Sequence, residues 1–353
     1  MTTIPLVRQT TKTLLNNSYR PILVALAIVY FTFQVGIYRL PGSVNEWLHI
    51  STIGPFGDGH WSVLSRNQAT PTLARALGIT TPDGWRAMTL MIALFATILL
   101  TYAITRLASS PETLCVLLML VLFSPIIRAI FNGQADYDGL TIVCLAVILI
   151  SDSKSLTALA AIVLGFTSPE QGTLALLVLV IVSYLLDRQR TATFFLALIL
   201  QFLTARVNRH VILSDENIYW MPLGQYHTLN QTLQIGFHAF AGAWVFVVAS
   251  LYIISKHKGY RTALVISGCL FLLPAIAYLV TSDGARNFTP ILMTGSVFVL
   301  RFSSEKLKQQ HLLGLIGLAV LLQAVYLFGG LNDFEQEFPT IYENLSSRPN
   351  PLP

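Results

Sequence analysis

Asp58 stands between two glycines in Gly57-Asp58-Gly59-His60-Trp61, three residues after Pro55. So permissive a backbone lets a substrate approach closely, and a carboxylate there can take a proton from a hydroxyl nucleophile as general base. The same residues also suit an ordinary Asp–Gly turn in an exposed loop. His60 is either a second titrating group or an interface residue. A second constellation holds Asn132, Gln134, Asp136 and Asp138. In a sheltered loop, like charges as close as Asp136 and Asp138 raise one of the two pKa values, and the pair suits a divalent ion or sugar hydroxyls. Against that, Asp138 before Gly139 can simply open a helix, where an acid favours the N-terminal dipole. Arg128, one turn earlier, pairs with an acid or a phosphate, or else snorkels to an interface.

Glu170 lies in Ser168-Pro169-Glu170-Gln171, a helix-start signature with an acid in the first turn. Its chemical reading is a second carboxylate across from Asp58; capping alone accounts for it equally well. Arg286, with Asn287 beside it, offers a planar donor fork suited to phosphate oxygens, or a local partner for Asp283. Arg206 and Arg209 make a second cationic pair, and Tyr226 and His227 sit in a polar, aromatic stretch suited to sugars or lipid headgroups. No GxSxG elbow, Walker loop, GxGxxG unit or HExxH occurs in a usable context, which argues against serine hydrolases, nucleotide-driven pumps and zincins.

These residues are spaced by long apolar runs. The chain has only 11% charged residues and a mean hydropathy of +0.64, where soluble domains carry about 25% charge. Lipid must therefore solvate much of it. About 20 apolar residues cross a bilayer as a helix. Eleven runs qualify or nearly do: Pro21–Tyr38, Ala87–Leu107, Thr113–Ile130, Gly139–Ile150, Leu156–Phe166, Thr173–Leu186, Thr193–Val207, Phe237–Ile254, Ala263–Val280, Pro290–Val299 and Leu312–Phe328. The expected fold is all-α, one integral-membrane domain over residues 1–353 with about 11 spans (9–13). Residues 1–20 form a cytoplasmic N-terminus retained as the lead to the first span. Residues 39–86 form an external loop with interfacial helices at Ser43–Ile50 and Trp61–Leu77, with Trp47, Trp61 and Trp85 at headgroup depth. Residues 208–236 form a second external loop and 331–353 an external tail. Cys115, Cys144 and Cys269 lie inside apolar runs without metal or disulfide spacing and read as packing residues.

Charge orients the bundle. Every lysine (Lys12, Lys154, Lys256, Lys258, Lys306 and Lys308) falls in one set of alternating loops, with thirteen of the 22 basic residues in all. Cationic loops stay in the cytoplasm. Only Glu112, Asp152, Asp187 and Glu305 join them, while the other thirteen acids fall on the external or lumenal side. The net charge of +5 thus expresses topology, not a nucleic-acid partner.

The layout resembles the GT-C class of integral-membrane glycosyltransferases, which use polyprenyl-phosphate sugars. The likeness rests on a cytoplasmic N-terminus, the span count and a long first external loop in which Asp58 matches the early catalytic aspartate. Asn132-Gly133-Gln134 resembles the NGQ-type stretch of several membrane mannosyltransferase branches. Ser168-Pro169-Glu170 sits where some branches have a Lys-Pro or Glu-containing junction, though the lysine is missing here. The resemblance implies transfer from a lipid-linked sugar donor to a lipid, glycan or protein acceptor on the external face. Asp58 and Glu170 would be catalytic, and Arg286, Arg206 and Arg209 would face phosphate. His60, Asn132, Gln134, Asp136, Asp138, Arg286, Asn287, Tyr226 and His227 would line the substrate, with a divalent metal on Asp136 and Asp138 as an option. Membrane lipids are the remaining partners. A lipid-glycan transporter or flippase, a glycan polymerase and a non-catalytic assembly subunit are the alternatives. Epitope tags inserted at Gly57–His60 and at Asp283–Asn287 should both be reached from the side opposite a tag at Lys256; a split between the first two removes the shared site.

Overall fold

The computed structural model describes residues 48, 68–123, 138–212, 241–273, 275, 284–307 and 309–328. Among them there are eleven α-helices and no strand. In chain order they are α1 (Ala69–Ala76), α2 (Pro82–Leu107), α3 (Pro111–Phe123), α4 (Asp138–Ile150), α5 (Lys154–Thr167) and α6 (Pro169–Leu186). There follow α7 (Thr191–Ile212), α8 (Trp244–Lys258), α9 (Tyr260–Ser267, continued by a π turn over Gly268–Leu272), α10 (Gly284–Ser304) and α11 (Gln309–Phe328). Ten of the eleven apolar runs lie at least in part on these helices; Pro21–Tyr38 and the ends of Thr113–Ile130, Phe237–Ile254 and Ala263–Val280 lie outside the described residues. Three helices, α2, α6 and the stretch Arg188–Asn208 containing most of α7, are long and apolar enough to cross a membrane.

Local chemistry sets the helix ends. Thr81 caps α2, its hydroxyl accepting from Gly84 N–H at 3.2 Å, with Pro82 in the first turn. The helix therefore starts five residues before the apolar run at Ala87. Ser153 caps α5 in the same way through Leu156 N–H. Gly78, at φ +67°, ends α1 in a Schellman turn: its N–H donates to Arg75 O and Ile79 N–H to Ala74 O. Gly259, at φ +91°, forms the whole joint between α8 and α9.

The bundle is apolar outside as well as inside. On α7 the outward positions are Phe195, Phe202, Leu203 and Val207, each between 43% and 55% exposed, while Gln201 and Asn208 are buried. A face of that kind needs a solvent of its own polarity. On α2, Thr89, Thr97 and Thr101 donate their hydroxyls back to carbonyls one turn earlier, which hides polar atoms inside the helix. Small residues allow close approach between helices. A Cβ on Gly295 of α10 would stand 2.6 Å from Val178 of α6, and Gly139 of α4 lies against Ile92 and Ala93 of α2. Phe194 of α7 meets Phe298 of α10 edge to face at 5.7 Å, deep in the core.

One end of the bundle is bound together by charge. Arg106 at the end of α2 pairs with Asp152 beyond α4 at 2.8 Å. Ser109 donates to Glu305, and Thr113 and Ser304 share a hydrogen bond, so the start of α3 meets the end of α10. Lys258 and Lys306 both lie over the Phe302 ring. With Lys154 and Lys256, the four described lysines occupy this one end; Lys12 and Lys308 lie outside the described residues. The central contact is Arg190, which donates to Ile148 O, Leu149 O and Ser151 O, the open carbonyls at the end of α4. A cation there also complements the negative end of the helix dipole.

The Trp85 expectation is corrected. Instead of lying at a headgroup surface, Trp85 is wholly buried with Leu48, Ala74 and Met88, because α1 folds over the start of α2. Trp47 and Trp61 lie outside the described residues. Arg190→Gln is expected to strand carbonyls of α4 and cost about 1–3 kcal/mol, read as a lower melting temperature in detergent. Arg106→Gln, at a surface pair worth about 0–1 kcal/mol, should change it little.

Candidate functional site

The end opposite the lysines is built around the joint of α5 and α6, where Ser168 alone separates the two helices. Pro169 in the first turn has no N–H to leave unpaired, and Gly172 N–H closes the turn on Ser168 O. The Ser168 hydroxyl donates to Gln171 Oε1 at 2.8 Å, so the two side chains engage each other across the turn. Glu170 occupies the first turn as the sequence predicts, and its side chain is exposed.

Gln201 of α7 holds this joint from the side. Its amide nitrogen donates to Pro169 O at 2.8 Å, and its amide oxygen lies 2.8 Å from the Thr173 hydroxyl. Gln201 is itself fully buried. Nearby, Asn208 donates to Gly165 O, and Gln68 N–H donates to Phe166 O, which ties the lead into α1 to the end of α5. The helices meet too closely for side chains at two points. A Cβ at Gly165 would fall 2.7 Å from Thr204 Cβ and 2.9 Å from Gln201 O; one at Gly172 would fall 2.8 Å from Leu164.

Three helix starts share this level. The α4–α5 hairpin turns over residues 151–153, so equal steps from that turn bring Asp138 level with Phe166. The α6–α10 pair runs parallel, with Thr294 bonded to Ala175 O and Gly295 against Val178. Equal steps back from those two contacts carry the backbone of Arg286 to the level of Thr167 and Pro169. Neighbouring axes stand about 8–10 Å apart. Asp138, Glu170 and Arg286 thus belong to the first turns of α4, α6 and α10 at one end and one depth. Asn287 follows Arg286 in the same turn. Backbone positions are what is described for Asp138, Arg209, Arg286 and Asn287.

Of the other expected residues, two lie on α7, whose Asn208 meets Gly165 at the same end of the bundle, and seven fall outside the described residues. Arg206 is exposed on α7, its guanidinium 5.2 Å over Phe202 of the same helix, and Arg209 continues that helix toward its end. Asp58, His60, Asn132, Gln134, Asp136, Tyr226 and His227 lie outside the described residues. Among the described residues no group of three His, Cys, Asp or Glu could hold a metal ion. The three cysteines are free thiols, two buried and one half-buried, as packing residues would be.

Chemically, the shared level brings together the first turns of three helices, the last turn of α5, two acids (Asp138 and Glu170) and one arginine (Arg286). The residue missed from sequence is Gln201. Its signal was present: a lone amide inside the apolar run Thr193–Val207, where a polar group must find a partner within the protein. No protein-family model matches the chain, and neither a curated protein nor a solved structure matches it. Gln201→Leu should cost about 1 kcal/mol, two interhelical hydrogen bonds at about 0.6 kcal/mol each. Gly165→Ala should cost more, about 1–3 kcal/mol of overpacking. Melting in detergent checks the order of the two.

Proposed function

We propose that the chain is an integral-membrane glycosyltransferase, moving a sugar from a polyprenyl-phosphate donor to a lipid, glycan or protein acceptor. The observation that carries this reading is the common level of the first turns of α4, α6 and α10, at the end without lysines. A donor phosphate in the outer leaflet would rest at the start of α10, with Arg286 and Asn287 as side-chain contacts and the acids Asp138 and Glu170 left to face the sugar and acceptor. The reading keeps about 11 spans, a cytoplasmic N-terminus and the lysine-bearing end in the cytoplasm, in agreement with the charge rule. It also explains a division of labour between the ends. Arg106, Arg190 and Arg301 have structural partners at the basic end, which leaves the other end for a substrate.

The proposed step is a single, inverting displacement. Asp58 accepts the proton of an acceptor hydroxyl as its oxygen attacks the anomeric carbon. The bond from that carbon to the lipid-phosphate oxygen breaks, and the phosphate departs with the electron pair. Phosphate is a good leaving group, so it needs charge stabilisation more than a proton. Glu170 stands as the second carboxylate. His60, Asn132, Gln134, Asp136, Asp138, Tyr226 and His227 are assigned to the sugar and acceptor, and Arg206 and Arg209 to a more distal phosphate contact. A divalent ion on Asp136 and Asp138 remains an option of this reading, and the step itself is carried by the chain's own residues.

The test incubates purified protein with labelled polyprenyl-phosphate sugars and a membrane extract as acceptor source. Wild-type protein should transfer label from one donor. Asp58→Asn should lose about 10²–10⁴-fold in rate, the span of a general base, while eluting and melting like wild type. Near-normal turnover in that variant removes Asp58 from the mechanism. Absence of transfer from every donor, with donor movement across proteoliposomes instead, replaces the enzyme by a flippase.

A further inference from the structure

Near the lysine-bearing end the surface opens into a groove of about 750 Å³. Val180, Ile181 and Leu185 of α6 form its floor, Phe195 of α7 stands on one side and Val265 of α9 on the other. The lining is apolar until the end of α6, where Arg188 enters with its guanidinium 5.0 Å over the Tyr184 ring.

We propose that this groove holds an acyl chain of an anionic glycerophospholipid whose phosphate rests on Arg188. Two of the helices that form it, α6 and α7, belong to the three segments long enough to cross a membrane. A groove running along them therefore lies parallel to the surrounding lipid chains. Its volume falls within the roughly 300–1,000 Å³ of small-molecule sites. The decisive contrast is between two arginines in one short turn. Arg190 spends its donors on the carbonyls of α4 and its face on Phe194. The Arg188 guanidinium has no hydrogen bond or ion pair among the described residues, and its ring contact is Tyr184. The nearest acid, Asp187, is half-buried and accepts from Gln189 N–H at 3.3 Å.

An exposed cation on an aromatic ring, closing an apolar trough, matches a phosphate above a fatty chain. A neutral zwitterionic lipid would bring its own cation to the same spot. The other basic groups of this end, among them Lys256, Lys258 and Arg261, bias the leaflet toward anionic lipids. The inference rests on residence in a membrane and is independent of sugar transfer.

Native mass spectrometry of the full chain in non-ionic detergent, titrated with phosphatidylglycerol or phosphatidylcholine of matched chains, tests it. One basic residue near the headgroups predicts about fivefold tighter binding of the anionic lipid. Arg188→Gln should abolish that preference and Arg188→Lys should keep it. Val265→Trp, which fills the groove, should weaken both lipids. Lys256→Gln removes a charge at the same end but outside the groove and should weaken the preference by much less than Arg188→Gln does. Equal affinities in the wild-type protein overturn the proposal. So does a Lys256→Gln effect as large as that of Arg188→Gln, which would mean a diffuse field, or an inert Val265→Trp.

Discussion

The amide of Gln201 is fully buried on a helix whose opposite face is phenylalanine, leucine and valine. An amide in such surroundings has no water to bond, so its partners must come from another helix. It takes Pro169 O and the Thr173 hydroxyl, and in doing so sets where α6 begins relative to α7. The close contacts of Gly165 and Gly172 repeat the constraint in steric form, since a methyl group at either would push the helices apart. The joint at Ser168, with Glu170 on it, inherits its position from these contacts. Its precision therefore comes from helices packed without intervening side chains, and not from the joint itself.

The two ends of the bundle solve the problem of charge differently. At the basic end, Arg190 satisfies carbonyls that α4 would otherwise leave open, and Arg106, Ser109, Asp152 and Glu305 link four segments across the surface. Each exposed pair is worth little singly; together they set which helix ends lie side by side. Around the Ser168 joint at the other end, the described contacts involve neutral groups: amides, hydroxyls and backbone carbonyls. The charges of that end, Asp138, Glu170 and Arg286, stand in the first turns of three helices around this neutral joint.

Several features could be read from residues alone because their causes are local. Ser168-Pro169-Glu170 is a helix start through the fixed φ and missing N–H of proline, and it stands as one. Apolar runs mark helices because period and polarity act at every position, so ten runs lie at least in part on described helices. Boundaries were less legible. The run Pro290–Val299 understates α10, which extends from Gly284 to Ser304 through polar turns that an apolar window does not count. Trp85 was misread because an indole suits a headgroup interface and a core equally well. Only the fold of α1 over α2, with Leu48 and Ala74 arriving from elsewhere in the chain, decides between them.

By itself the sequence determined helicity, apolar helices long enough to cross a membrane and the segregation of lysines, since composition, periodicity and loop charge carry that information residue by residue. Only the tertiary structure decided that α4, α6 and α10 begin at one depth and that Gln201 reaches Pro169. It likewise decided that Arg190 is occupied while Arg188 is not. Those facts depend on helix register, which is set by which glycine meets which side chain across an interface. No local pattern encodes such a meeting, because its partners lie far apart along the chain and come together only on packing.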